Sequence, residues 1–490
     1  MGATRDMITP VSSPLEFRGR LAGALAPFAL FLTGVGWLAL SGAPDEKGFW
    51  PILLAALALG LALAKDRTRY SEAVLAAMAQ PVVMLMIMAW LLSGVLAVLL
   101  NASGFVEALV WGARALHLTG ATYVAAAFLT CGVVSTATGT SFGTIMLAGP
   151  LLYPAGGALA APPAVLMGAI LAGATFGDSI SPVSDTTIAS AGSQLTDVPG
   201  TVRARLTYVL PAGALALAAS VVLAMTGTPV LGSASATTAA AGAAVASAST
   251  GGARALAMLL VPAIVITLLV RKRHLLEGLF AGIALSLVLG LALGLLDPAK
   301  VFYIDRTAFG AKGLIIDGLS RGLGVSVFTI LLIGLVGALQ ESSAVEGVLA
   351  WARTSTLSPR RAEAWIVGSV TVAVLLTTHS VVAMLTVGAF TREVGARAGL
   401  SAYRRANLLD MTVCTLPFIL PYFLPTILAS SASASGADFG MPRVAPFAAG
   451  LHNTYAWALV VAVALAVVTG WGRTADGRRE TGDGSSVAPG

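Results

Sequence analysis

Charge is what this sequence has least of: Asp, Glu, Lys and Arg make up 11% of its 490 residues, against roughly 25% in an ordinary soluble domain. With 57% of residues hydrophobic, that scarcity excludes a soluble globular fold. Cysteine is also scarce, at two residues. Cys131 and Cys414 both lie inside apolar runs, so there is no disulfide framework and no Cys-x-x-Cys metal or redox spacing. Both read as small packing residues. The His-Glu-x-x-His zinc signature is missing too, and no cofactor is expected. A net charge of +6 would suit nucleic acid if it were gathered on one face. Here Lys and Arg sit in short loops between apolar segments, so topology accounts for them and no nucleic-acid partner is expected.

What the sequence does contain is apolar runs. Crossing ~30 Å of hydrocarbon takes about 20 helical residues, and about ten spans can be read. In order the runs are 21–40, 49–64, 82–100, a polar-punctuated region 122–150, 164–191 and 206–225. A second set follows at 256–270, 276–296, 323–340, 364–390, 406–430 and 444–469. The first run follows Arg18 and Arg20 and is longer than the ~7–15 residues of a signal-peptide core, so it is taken as an uncleaved span.

The two sets run in parallel. Glu107, Thr138 and Ser141 meet Glu346, Thr377 and Ser380 at one constant offset of 239, the mark of an internal repeat. Basic loops mark the cytoplasmic side: Arg18/Arg20, Lys65/Arg67/Arg69, Arg203/Arg205, Arg271/Lys272/Arg273, Arg353/Arg360/Arg361 and Arg473/Arg478/Arg479, with the acidic Asp45-Glu46 loop outside. The halves then enter the membrane from opposite sides. A loop with Arg392, Arg397, Arg404 and Arg405 stays inside if residues 364–390 enter and return. The expected fold is thus an all-α polytopic membrane protein built from two inverted-topology repeats. Each has about five spans, one re-entrant hairpin and broken helices at mid-membrane. The expected organisation is a cytoplasmic segment 1–20, repeat 1 at 21–226, an Ala/Ser/Thr/Gly-rich external linker 227–254, repeat 2 at 255–470 and a polar cytoplasmic tail 471–490.

An ionisable side chain inside an apolar segment is a functional candidate by default, because inserting it costs several kcal/mol. Asp178 and Asp185 lie within 164–191, among Gly177, Ser179, Ser181, Pro182, Ser184, Thr186 and Thr187. Pro182 removes a backbone donor and Gly177 weakens the helix, so this stretch is expected to break. Freed carbonyls and hydroxyls then offer oxygen ligands at mid-membrane depth. Oxygen ligands beside a carboxylate suit a hard cation such as Na⁺, with Asp178 and Asp185 as its ligands. A carboxylate out of water can also trade a proton for the ion. The bland alternatives are helix caps or pairing with Arg203 or Arg205. In the second half Asp410 precedes Thr412 and Pro417 in the same order of acid, hydroxyl and proline, at an offset of 232 from Asp178. For Asp410 the bland alternative is a salt bridge with Arg405. The hairpins add Thr138 and Ser141 from the first half and Thr377, His379 and Ser380 from the second. His379 titrates near neutral pH in water, which suits a proton carrier.

The stretch from Gly173 to Thr187, together with Thr138-Gly139-Thr140-Ser141-Phe142-Gly143-Thr144, resembles the NhaC-type Na⁺/H⁺ antiporters of the ion transporter superfamily. The resemblance implies exchange of Na⁺ for H⁺ across the inner membrane with Asp178 and Asp185 near the ion, and no enzymatic activity. The expected partners are Na⁺, H⁺ and the lipid bilayer, with a homodimer left open. One departure is Leu409-Asp410-Met411-Thr412-Val413-Cys414-Thr415-Leu416-Pro417, where the family reads closer to Glu-Asp-Ser-Gly-Thr-Val-Thr-Ser-Pro. The alternative it leaves is an ion-coupled antiporter of organic acids or amino acids, of the malate/lactate kind. Arginines deep in the spans would favour that alternative, and none is read there. An intramembrane hydrolase using the paired aspartates, or Ser380 beside His379, and a non-transporting receptor are the readings from other classes.

Overall fold

A computed structural model describes residues 14–41, 46–226, 252–271, 273–307, 309–342 and 358–473. Asp45, Glu346, most of the expected linker and most of the tail lie outside the described residues.

The helices follow the apolar runs. They are α1 (Leu21–Leu40), α2 (Phe49–Leu63), α3 (Arg67–Met78), α4 (Pro81–Ala102), α5 (Phe105–Ala115), α6 (Gly120–Thr138), α7 (Ser141–Leu152), α8 (Pro163–Ile180), α9 (Asp185–Ser193) and α10 (Val198–Thr226). The second half contributes α11 (Leu260–Val270), α12 (Leu275–Ala292), α13 (Leu314–Gln340), α14 (Pro359–Thr377), α15 (Ser380–Arg397), α16 (Ala402–Val413), α17 (Leu424–Ser433), α18 (Pro446–Leu451) and α19 (Thr454–Thr469). A small hairpin, Tyr303–Asp305 paired with Gly310–Lys312, is the departure from an all-α chain. Among the described residues, seven helices are long and apolar enough to cross a membrane, and three shorter apolar helices join them. The chain is a multi-pass membrane protein.

Two close crossings hold the bundle. Helices α4 and α13 pack along their lengths, and a Cβ on Gly94 would lie 2.2 Å from the carbonyl oxygen of Gly318; small residues let the two backbones meet, as membrane helices without a hydrophobic driving force require. Helix α8 packs on α6 in the same way, with a Cβ on Gly177 placed 2.2 Å from the oxygen of Gly132. Position 177 therefore serves this contact and stays helical, ahead of the break read from sequence.

The hairpins turn with one geometry. Gly139 is left-handed (φ 69°) and Thr140 extended before α7; Thr378 is left-handed (φ 51°) and His379 extended before α15. A β-branched residue at positive φ is strained, by about 1–3 kcal/mol. The arms then pack across the halves, α15 on α9 and α7 on α17.

One expectation is overturned. Apolar run lengths place Arg205, Arg404 and Arg405 in loops, with no arginine deep in a span, yet all three are buried and lie within helices. The reason is that each helix begins before its apolar run: α10 at Val198, about two turns before residue 206, and α16 at Ala402, about one turn before residue 406. Arg404 lies against Glu363, with Nε donating to Oε1 at 3.0 Å, and also donates to Tyr208 Oη (2.6 Å) and to the backbone oxygens of Ala466 and Trp471 (both 2.8 Å). Arg473 donates to the same Glu363 at 2.6 Å.

Candidate functional site

The break falls at the proline, while Gly177 stays helical near the end of α8. Helix α8 stops at Ile180, residues 181–184 are non-helical, and α9 restarts at Asp185. The break is pinned to the first hairpin: Ser181 Oγ donates to the Thr136 carbonyl at 2.8 Å and accepts from Val183 N at 3.3 Å. Tight contact with Val183 at the tip leaves no room for a Cβ on Gly139. Ser184 Oγ lies 3.0 Å from Thr186 Oγ1.

Beneath the two tips is a cavity of about 150 Å³. Its polar lining is Thr140 and Ser141 from the first hairpin, Asp178, Ser184, Asp185 and Thr186 from the broken helix, and His379 and Ser380 from the second hairpin. Asp178 is 6% exposed and its Oδ1 has no hydrogen-bond partner, with the Ser141 and Ser184 hydroxyls beside it. Asp185 sits more openly, at the start of α9. His379 Nδ1 is likewise buried without a partner.

The other predicted residues lie around this cavity. Thr138 lines an adjoining cavity of about 270 Å³ that also contains Arg273, and Thr377 lines a smaller one that shares His379. Ser181 is engaged with the hairpin. Thr412 is buried and donates to the Leu408 carbonyl at 2.6 Å.

Asp410 is held elsewhere. Its Oδ2 is 2.5 Å from Arg205 Nη2 with both side chains buried, and accepts from Ser190 Oγ at 3.2 Å. Arg205 also donates to Thr187 Oγ1 (2.8 Å), the Ser179 carbonyl (3.0 Å) and Asn407 Oδ1 (3.1 Å). The pair thus ties α8, α9 and α10 of the first half to α16 of the second. Cys414 lies between the acids: it lines the cavity that Asp178 lines, and its Sγ is 3.9 Å from Asp410 Oδ1.

Sequence reasoning missed Asn407, Ser190 and Trp90, which also lines the cavity, and named Arg205 as a partner for Asp178 or Asp185 rather than for Asp410. Arg205 borders an apolar run and so looks interfacial; Trp90 has no feature in sequence that separates it from other apolar positions. Residues 139–143 also spell Gly-x-Ser-x-Gly, which bears on the hydrolase alternative. A nucleophile elbow joins a strand to a helix, whereas Ser141 here follows a helix.

A model of the Na⁺/H⁺ antiporter family matches residues 71–228. Among curated proteins, the chain is 38% identical to the malate-2H⁺/Na⁺-lactate antiporter of Bacillus subtilis over 23% of this chain and 24% of that one. It is 27% identical to the Na⁺/H⁺ antiporter NhaC of Alkalihalophilus pseudofirmus over 46% and 50%. It is 36% identical to the arginine/ornithine antiporter ArcD of Halobacterium salinarum over 24% and 23%. The matches thus span half or less of the length of these relatives. Residues 71–228, the stretch that matches the Na⁺/H⁺ antiporter family model, carry Asp178, Asp185 and the first hairpin.

Proposed function

We propose that the protein is a secondary active transporter exchanging cytoplasmic Na⁺ for external H⁺ across the cell inner membrane, with both termini cytoplasmic. The observation that carries this reading is Asp178: a buried carboxylate with one oxygen unpartnered, at the end of a broken helix and facing hydroxyls from both halves. A carboxylate there is costly unless it holds a proton or a cation, and one that holds either in turn is an exchanger. Ser141, Ser184, Thr186 and Ser380 supply the neutral oxygens such an ion takes, and Asp185 and His379 border its path. Asp410 with Arg205, beside Thr412, fixes the second half against this site.

Residues 21–226 and 255–470 act as inverted repeats, each with a re-entrant hairpin. The matched turn conformations at 139–140 and 378–379 and the reciprocal packing of α7 on α17 and α9 on α15 support this reading. A two-fold axis in the membrane plane gives alternating access by exchanging the two halves' conformations.

The organic-acid alternative takes support from the name of the B. subtilis relative. It needs a cationic side chain in the cavity, and the buried Arg205 is engaged with Asp410 rather than lining it. Cation exchange is therefore the better reading. In inverted vesicles, Na⁺ should dissipate an imposed proton gradient at pH 7 to 9, and Asp178→Asn should abolish this while the protein still inserts. Exchange retained by Asp178→Asn would remove Asp178 from the ion's path.

A further inference from the structure

The cavity is larger and more apolar than a bare sodium ion needs. Its volume of about 150 Å³ is room for roughly five water-sized groups at about 30 Å³ each. Asp178 and Asp185 line it, and no Lys or Arg does among the described residues. Beyond the acids, the hydroxyls, His379 and Cys414, its lining is apolar and aromatic, with Met86, Trp90, Phe142 and Phe418. Trp90 is 3% exposed and its Nε1 has no hydrogen-bond partner. A carboxylate solute of this size would meet two acids and no fixed cation. A positively charged solute would place its charge on Asp178, where Oδ1 is unpartnered, and its carbon atoms against the apolar lining, with the indole available for a cation–π contact.

We infer that this cavity binds small monovalent organic cations, alkylammonium or alkylguanidinium ions of about five non-hydrogen atoms, in competition with Na⁺. The inference rests on the cation-exchange reading above and extends it to a second substrate class.

Methylguanidinium is a suitable probe: it has five non-hydrogen atoms, stays charged at every working pH and so does not cross the bilayer as a free base. Propionate has the same number of atoms and the opposite charge. With the purified full-length chain in detergent, displacement of radiolabelled Na⁺ and direct calorimetric titration of each probe are measured side by side. Methylguanidinium should displace Na⁺ and bind by calorimetry, propionate should do neither, and Asp178→Asn should lose the methylguanidinium heat. Trp90→Leu should lower the affinity ratio of methylguanidinium to Na⁺ by about 2- to 30-fold, with Trp90→Phe in between. Na⁺ binding that methylguanidinium leaves untouched overturns the inference while sparing the Na⁺ reading. Loss of Na⁺ binding with methylguanidinium still bound overturns the Na⁺ reading alone. Displacement by propionate overturns the inference.

Discussion

The buried pair of Arg205 and Asp410 makes the sharpest quantitative prediction. Its charges are 2.5 Å apart, both side chains are 1% exposed, and the pair joins helices from both halves. Removing one partner strands the other charge in an apolar interior, at a cost of about 3–5 kcal/mol. Asp410→Asn leaves Arg205 with Thr187, Ser179 and Asn407 but no counter-charge; Arg205→Gln leaves Asp410 with only Ser190 and Cys414. The double variant has no stranded charge, so its cost falls to the lost hydrogen bonds, at about 1 kcal/mol each. The singles should therefore sum to well above the double, with a coupling of at least about 2 kcal/mol. Unfolding in mixed micelles titrated with sodium dodecyl sulfate, followed by tryptophan fluorescence, reads all four proteins. Additivity within about 0.5 kcal/mol would refute a cross-half ion pair.

Two further substitutions test the packing and the surface. Gly177→Ala places a Cβ 2.2 Å from the Gly132 oxygen and 2.7 Å from Ser135 Cβ, so it should destabilise by about 1–3 kcal/mol, seen as a lower melting temperature in detergent; an unchanged melt would mean that α6 and α8 do not meet there. At the exposed start of α10, the Tyr403 hydroxyl donates to Asp197 Oδ2 and holds that carboxyl below the usual range, helped by the Gly200 amide. A depressed carboxylate stabilises above its unfolded value, near pH 4, and loses that contribution as pH falls through the folded value. Tyr403→Phe should thus shift acid unfolding to higher pH, by less than about 1 kcal/mol in stability because the pair is solvated; an unchanged acid limb would show that the contact contributes nothing.

The legible part of the fold is what periodicity and chain chemistry dictate locally. Pro182 announces the break between α8 and α9, and hydrophobic run length announces the long spans; Gly177 remains helical. The hidden part is what depends on a partner distant in sequence. Helix α10 starts in Val198-Pro199-Gly200-Thr201, a stretch whose polarity and turn residues read as a loop, and the burial of Arg205 and Tyr208 further along it comes with α16 and α19 packing against the helix. The left-handed turn at Thr378 was invisible for the same reason: nothing local favours positive φ there, and its match at Gly139 appears only once both hairpins are folded.

The same distinction changes what the membrane carboxylates mean. By sequence, Asp178 and Asp410 are equivalent acids in matching positions of two halves. In the folded chain Asp410 has a guanidinium at 2.5 Å and Asp178 has hydroxyls and an unpartnered oxygen. A neutral ion pair needs no further charge, whereas a lone buried carboxylate needs a proton or a cation. The two acids are thus alike in sequence context and unlike in charge environment. On the proposed reading, the second half contributes a fixed, internally neutralised acid that holds the halves in register, and the first contributes the acid that trades one positive charge for another.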